Sequence, residues 1–365
     1  MTTPTWPAAS AAALTRLLPL LGASGHDGAH HQGRSGTDTG LGPQVFDLVE
    51  HLPLASTMWR LRYQGFEQLL ACALGHGAKR LASVVMPEVL ASGAYRHLYE
   101  LDTGLSTASA WDATADGFLT GELAAGQRKV RRGTLVLSSQ QGVWEWLSAM
   151  IQGLALIVTA GAPTTLAIDY VSFQLARDSV INTVARMQTV PPVVAPAPLF
   201  ADWTWRIGPY SASVALDSST LAPCTRWSLR LENNLEASAG PRTGYAPDEY
   251  ERSNEPRVTL SFTLPRSTTD VWQTRWVQNT RLMAIGAFQG PVIGNTSVHY
   301  ALTCYLPSCQ VTNAVLNLAG AQIPSTTVEL VAIVPTAAAA GFPTMQRLTP
   351  LALELVSGEA QHALL

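Results

Sequence analysis

Charge is what this sequence has least of. Asp, Glu, Lys and Arg make up only 13% of its 365 residues, with a net charge of −3 and a pI near 6.2. A slightly acidic balance argues against a basic surface built to grip phosphates. So little charge leaves much of the surface to Ser, Thr, Gly, Ala and Gln, as on a protein largely covered by partners. Cysteine is scarce too, with Cys72, Cys224, Cys304 and Cys309 the full set. Cys304 and Cys309 flank Leu306-Pro307 at a spacing that fits neither a zinc knuckle nor a redox pair. All four thiols are therefore expected to be small buried or half-buried residues in a reducing compartment. No apolar run is long enough to cross a bilayer. The mostly apolar run from Leu14 to Leu21 is interrupted by Arg16 and Pro19, and no basic residue precedes it. It does not read as a signal peptide.

Catalytic motifs are missing as well. The chain has no GxSxG elbow, no P-loop, no HExxH and no paired-glycine fingerprint after a strand. His51, His76, His97, His299 and His362 stand apart from carboxylate clusters. His97 and His299 fall in expected strands, where a satisfied structural role is the better reading. His26, His30 and His31 lie in a Gly-rich stretch with no carboxylate or thiol frame for a metal. The sequence therefore points to a protein that is no enzyme and carries no cofactor or metal.

What the chain does have is strand patterning. In residues 257–291, Val258, Leu260, Phe262 and Leu264 alternate with polar residues, the mark of a half-buried strand. Pro265 closes it, and Ser267, Thr268 and Thr269 offer caps for a short helix through Val271, Trp272, Arg275 and Trp276. Alternation resumes at Leu282, Ala284 and Gly286. A similar pattern runs through residues 132–163. There Thr134-Leu135 matches Thr259-Leu260, Val143-Trp144 matches Val271-Trp272, Leu154 matches Leu282 and Pro163 matches Pro291. One strand-helix-strand module present twice, so far apart, implies two tandem domains instead of a solenoid.

Taken in order, residues 1–45 read as a mobile N-terminal arm, 46–190 as a first β domain and 191–199 as a stiff Pro-rich connector. Residues 200–336 form the second domain and 337–365 a tail with a terminal helix. The expected class is mainly β, a β-sandwich or barrel with short helices, in two tandem domains. Within the domains, Met58 to Tyr63, Tyr95 to Leu101, Arg226 to Leu235, Val298 to Tyr305 and Thr326 to Val334 read as strands. Phe66 to Leu74 reads as a helix capped by Gly75. Two long loops, 102–127 and 236–256, occupy matching places, and loops of that length usually have a function or become ordered against something else. The first ends in Arg128, Lys129, Arg131 and Arg132. The second holds Tyr245, Asp248, Glu249, Tyr250, Glu251 and Arg252. Both sets read as contacts between stacked subunits, the basic set meeting the acidic loop of a neighbouring copy.

The segment RWSLRLENNLEASAGPRTGYAPDEYERSNEPRVTLSFTLP (226–265), with the helix around Val271-Trp272 and YALTCYLPSCQV (300–311), resembles the tail tube proteins of long-tailed bacteriophages. The likeness is more specific across 200–335 than across 50–185, and the chain is much longer than a one-domain tube subunit. The resemblance implies a structural virion protein of the tail, made in the host cytoplasm, whose strands pair edge to edge around a ring. It further implies that the long loop reaches the next ring. With two such domains per chain, the expectation is a trimeric pseudo-hexameric ring, or otherwise a ring of six chains. Such rings stack into a tube that conducts DNA during ejection through a neutral or acidic lumen. The partners implied are further copies of itself, the tape-measure protein, the tail terminator and baseplate or tip proteins, with no membrane. The alternative is a receptor- or carbohydrate-binding sandwich, in which Trp203, Trp205, Tyr245 and Tyr250 form a sugar platform.

Overall fold

Three stretches alternate so regularly that their inward faces are fixed by period alone. Trp227, Leu229 and Leu231 point inward from residues 226–232, and Val258, Leu260, Phe262 and Leu264 from 257–265. Val328, Leu330 and Ala332 do so from 325–332. These strands lie at the centre of a mainly β molecule. A computed structural model of the chain describes residues 20–26, 29–33, 46–51, 54–77, 80–81, 84–85, 88–101, 133–139, 142–172, 174–177, 181–189, 195–238, 249–252, 254–265, 271–317, 325–343, 345 and 348–360.

The elements begin with β1 (Leu20–His26), β2 (Ala29–Gly33), β3 (Phe46–His51), β4 (Leu54–Arg60) and α1 (Glu67–Leu74). Next come β5 (Gly75–Gly77), β6 (Arg80–Leu81), β7 (Val84–Val85), β8 (Glu88–Ala91), β9 (Ala94–Leu101) and β10 (Gly133–Ser139). Then follow β11 (Gly142–Thr159), β12 (Thr165–Val171), β13 (Gln174–Arg177), α2 (Val184–Thr189), β14 (Trp203–Pro209) and β15 (Arg226–Glu232). The chain continues through β16 (Leu235–Ser238), β17 (Glu249–Arg252), β18 (Arg257–Pro265), α3 (Val271–Val277) and β19 (Arg281–Val292). It closes with β20 (His299–Asn317), β21 (Ser325–Ala332) and β22 (Ala352–Ser357).

One antiparallel sheet runs β1-β4-β12-β11-β15-β18-β21-β20-β22-β9-β5, with β8, β10, β13, β14 and β19 branching from it. Two long strands make the branching possible by changing partners along their length. The first part of β11 pairs with β10 and β13, and the rest with β12 and β15, across a bulge between Ile151 and Gly153. In β20, residues 301–305 pair with β22 and residues 309–317 with β21, while β19 runs along the other side. The switch falls at Leu306-Pro307-Ser308, where proline has no N–H to give to a ladder. Ser308 is held there by Arg281, whose Nε donates to its Oγ at 2.7 Å, and its carbonyl accepts from the Ile333 amide at 2.9 Å.

The curled sheet encloses α1. Phe66, Leu70 and Leu74 meet Leu154, Leu156, Leu166, Leu229, Leu231, Leu302, Leu353 and Leu355 around a residual cavity of about 20 Å³, room for about one water molecule. Glu67 sits in the first turn of α1, where a carboxylate is favourable. It accepts from the Gly65 amide at 2.7 Å and the Ser357 hydroxyl at 3.1 Å. The helix stops at Gly75, as its spacing predicts. α3 ends on Asn279 in the left-handed region, with Thr280 N donating to Arg275 O and Asn279 N to Trp276 O, a Schellman closure.

Strands form in every stretch where alternation predicts one, although the strand read over 58–63 ends at Arg60 and the one read over 226–235 breaks at Asn233-Asn234, and the helices form over Glu67–Leu74 and Val271–Val277. The first copy of the strand-helix-strand module does not. Instead of a helix at Val143-Trp144, the chain turns between Ser139 and Gly142 and runs extended to Thr159. Pairing on both sides overrides the local helical spacing there. Whereas β10 pairs directly with β11, β18 and β19 never pair with each other. The two stretches that look alike in sequence are wired differently.

Nor does the sheet break at the Pro-rich connector. Across it, β11 pairs with β15, and one apolar core joins Trp59, Phe66 and Leu166 to Trp227, Phe262 and Leu330. The described part of the connector is bound down, with Tyr63 N donating to Pro196 O and Thr164 Oγ1 to Pro198 O. The N-terminal arm supplies β1 to the sheet edge and β2 to a hairpin with β3. The C-terminal tail forms no terminal helix among the described residues. It supplies β22, inserted between β20 and β9, because its alternating leucines fill a slot that residues far away in sequence leave open. Arg96 clasps that strand, its Nη2 donating to Glu354 Oε2 at 2.6 Å. Burial alone would lower the Arg96 pKa, but the hydrogen bond and the charges of Glu354 and Glu88 outweigh it and raise it. Tyr305, which donates to the same carboxylate, has its pKa raised by burial and then by the Glu354 charge.

Candidate functional site

The long loop expected at 236–256 begins and ends as a β-ribbon. Beyond the ladder of β15 and β18, which stops at Glu232↔Arg257, β16 and β17 form their own two-stranded sheet from Leu235↔Arg252 to Ser238↔Glu249. Two asparagines make the transition. Asn233 is fully buried, and its Nδ2 donates to Ala73 O at 3.1 Å and Ile151 O at 2.8 Å. Its backbone N–H bonds Gln152 O at 2.8 Å. One side chain thus satisfies a carbonyl at the end of α1 and another at the β11 bulge. Asn234 takes φ 50°, a conformation that asparagine tolerates better than most residues, and its Nδ2 ties back to Glu255 O at 2.6 Å. Its amide anchors the base of the ribbon.

Of the residues expected at subunit contacts, Glu249, Tyr250, Glu251 and Arg252 make up β17. Arg128, Lys129, Arg131, Arg132, Tyr245 and Asp248 lie outside the described residues. The chain that carries the basic cluster enters the sheet at Gly133, opposite Ala149, close to the Gln152 that holds the ribbon base. Register sets Glu236 opposite Glu251 and Ser238 opposite Glu249. Like charges at directly opposed positions are unfavourable unless a cation lies near.

Sheet borders complete the candidate surface. Among the described residues, β1 and β10 each pair on one side only, and neither contains a charged residue or a proline. Soluble proteins usually blunt such edges with charge, proline or a covering segment. Elsewhere in the molecule that protection is present. The outer side of β14 is covered by a bridge between Arg206 and Leu221 and by the Ala222 amide donating to Trp205 O, and Pro209 ends the strand. The β5 edge is only three residues long.

The proposed sugar platform loses two of its members. Trp203 and Trp205 are buried against Trp227 and Phe288, with ring centroids 4.1 Å apart for Trp203–Trp227 and 5.0 Å for Trp203–Trp205. His97 and His299 are structural, as expected, each within hydrogen-bond distance of a backbone carbonyl, Glu359 O and Gly290 O. Cys304 and Cys309 are buried, Cys72 and Cys224 half-buried, and all four are free thiols. Among the described residues, no group of three or more His, Cys, Asp or Glu could hold a metal ion.

No protein-family model matches the chain, and no curated protein matches it. Among solved structures it is similar to one described as "Crystal structure of Hcp protein", at 12% identity, over 35% of this chain and 86% of that chain, with a TM-score of 0.22. A score that low decides nothing about the fold or function of this chain.

Proposed function

We propose that this chain is a non-catalytic structural subunit that assembles with copies of itself into stacked rings forming a tube. The observation that carries the reading is the ribbon of β16 and β17, which prolongs the hairpin of residues 226–265 beyond the sheet. That is the segment whose sequence resembles phage tail tube proteins. The uncharged edges of β1 and β10 support it, since pairing with neighbouring copies would close borders that are otherwise open to aggregation. The small share of charged residues fits a surface mostly covered in the assembly. In this reading the tube is the tail tube of a long-tailed phage, DNA passes through it without specific binding, and the tape-measure, terminator and tip proteins are its neighbours. The ring is a trimeric pseudo-hexamer or, failing that, a ring of six chains. Negative-stain microscopy and sedimentation of the purified chain test the proposal. Rings or tubes that grow with concentration are expected, and monodisperse monomers at every salt and protein concentration would overturn it.

A further inference from the structure

We propose that β22 is a removable strap, which leaves its slot together with β5, β8 and β9 while the rest of the sheet stays paired. Such an opening belongs to the single chain, whatever it assembles into. Topology sets the boundary of the moving part. β9 meets the sheet through β22, by a ladder from Tyr95↔Ser357 to Glu100↔Ala352. Among the described residues, β5 and β8 pair with β9 alone. β22 in turn is held to β20 by five opposed pairs, from Ala301↔Val356 to Tyr305↔Ala352. Breaking that one short ladder therefore frees β22, β9, β8 and β5 together.

Packing and bonding favour the same line. Leu351, Leu353 and Leu355 face α1 across the cavity of about 20 Å³, with Leu302 of β20 on its wall, and side chains that line a void lose contacts there. Inside the moving part the ties are short. Arg96 Nη2 donates to Glu354 at 2.6 Å, and Thr349 Oγ1, just ahead of β22, donates to Leu101 O at 2.8 Å. Two longer bonds cross the line, Ser357 Oγ to Glu67 at 3.1 Å and Tyr305 Oη to Glu354 at 3.3 Å. The strap also has a fixed tether. Between β21 and β22, the Ala337 carbonyl accepts from Tyr210 Oη and the Ala340 amide donates to Ser211 O, both at 3.0 Å. An opened strap is thus kept beside its slot, and cooperative partial openings of this kind involve contiguous units of structure.

Two native thiols test the opening. Cys304 is fully buried opposite Leu353 of the strap, whereas Cys309 is equally buried but lies opposite Leu282 and Ala332, outside the moving part. Labelling the folded chain with a small thiol reagent, read site by site by mass spectrometry, should modify Cys304 at least about tenfold faster than Cys309. Amides of residues 95–101 and 352–357 should exchange hydrogen together, ahead of those in β15 and β18. In an Ala301→Cys/Val356→Cys chain, oxidation joins β20 to β22 across an opposed pair and should bring Cys304 labelling down to the Cys309 rate. Reduction should restore the difference. Equal labelling of the two thiols in the parent overturns the proposal, as does Cys304 labelling that oxidation leaves unchanged. Protection of β9 that outlasts the opening of β22 overturns the joint movement.

Discussion

Replacing Asn233 by alanine removes one amide that serves two backbone carbonyls at once, Ala73 O at the end of α1 and Ile151 O at the β11 bulge. The position is fully buried, so water cannot substitute without opening the structure. Each buried polar group left without a partner costs about 1–3 kcal/mol. The two together predict a loss of about 2–5 kcal/mol, which is large for one side chain. Asn233→Asp should be at least as damaging at neutral pH, because a carboxylate can only accept and would face two acceptors. Its deficit should shrink at low pH, where protonation restores one donor. Guanidinium unfolding of parent and variants, followed by fluorescence, measures the change. Hydrogen exchange at the last turn of α1 locates it. A change within about 0.5 kcal/mol for Asn233→Ala, or unaltered exchange in that turn, would refute the argument.

Gly286 lies where an added Cβ would come within 2.5 Å of the Trp203 ring and 2.7 Å of Trp205. Gly286→Ala should therefore cost about 1–3 kcal/mol through overpacking and alter the near-ultraviolet circular dichroism of the indoles. An unchanged spectrum would contradict the packing. Burial raises the Cys309 thiol to about 12 and the Cys304 thiol further. Above a pH of about 9, unfolded chains lose these protons while folded chains keep them, so stability should fall with rising pH by about 1.4 kcal/mol per unit for each thiol. Urea midpoints between pH 8 and 11 should decline less steeply for Cys304→Ala/Cys309→Ala, and parallel slopes would refute the assignment. Truncating Trp272, packed edge-on against Phe262 at 5.1 Å, should cost about 3–5 kcal/mol. Unfolding that matches the parent would show that α3 contributes no such anchor.

Legibility followed the range of the interactions. Val258, Leu260, Phe262 and Leu264 could be read as one inward face, with Pro265 as its end, because a two-residue period and a proline are local facts. The same holds for α1, whose Phe66, Leu70 and Leu74 mark a helical face before Gly75. Val143 to Leu147 carries helix-like spacing yet lies flanked by β10 and β13, and no local signal announces two pairing partners. The tail misled for the same reason. Its leucines suit a helix or a strand equally, and the slot between β20 and β9 decides between them.

The candidate surface was visible only in part. A long polar loop with tyrosines and carboxylates stood out at 236–256, but its ribbon form depends on how Asn233 and Asn234 are held. Trp203 and Trp205 looked like surface aromatics until the approach of Trp227 and Phe288 enclosed them.

Alone, then, the order of residues determined that this is a β protein with two short helices at known places, little charge and a polar excursion at 236–256. Period, proline and glycine act over a few residues and need no partner to be read. Tertiary structure decided that both halves share one sheet and that the last strand fills the slot between β20 and β9. Those outcomes depend on which distant backbones hydrogen-bond to each other, a choice settled by global packing and invisible to any short window.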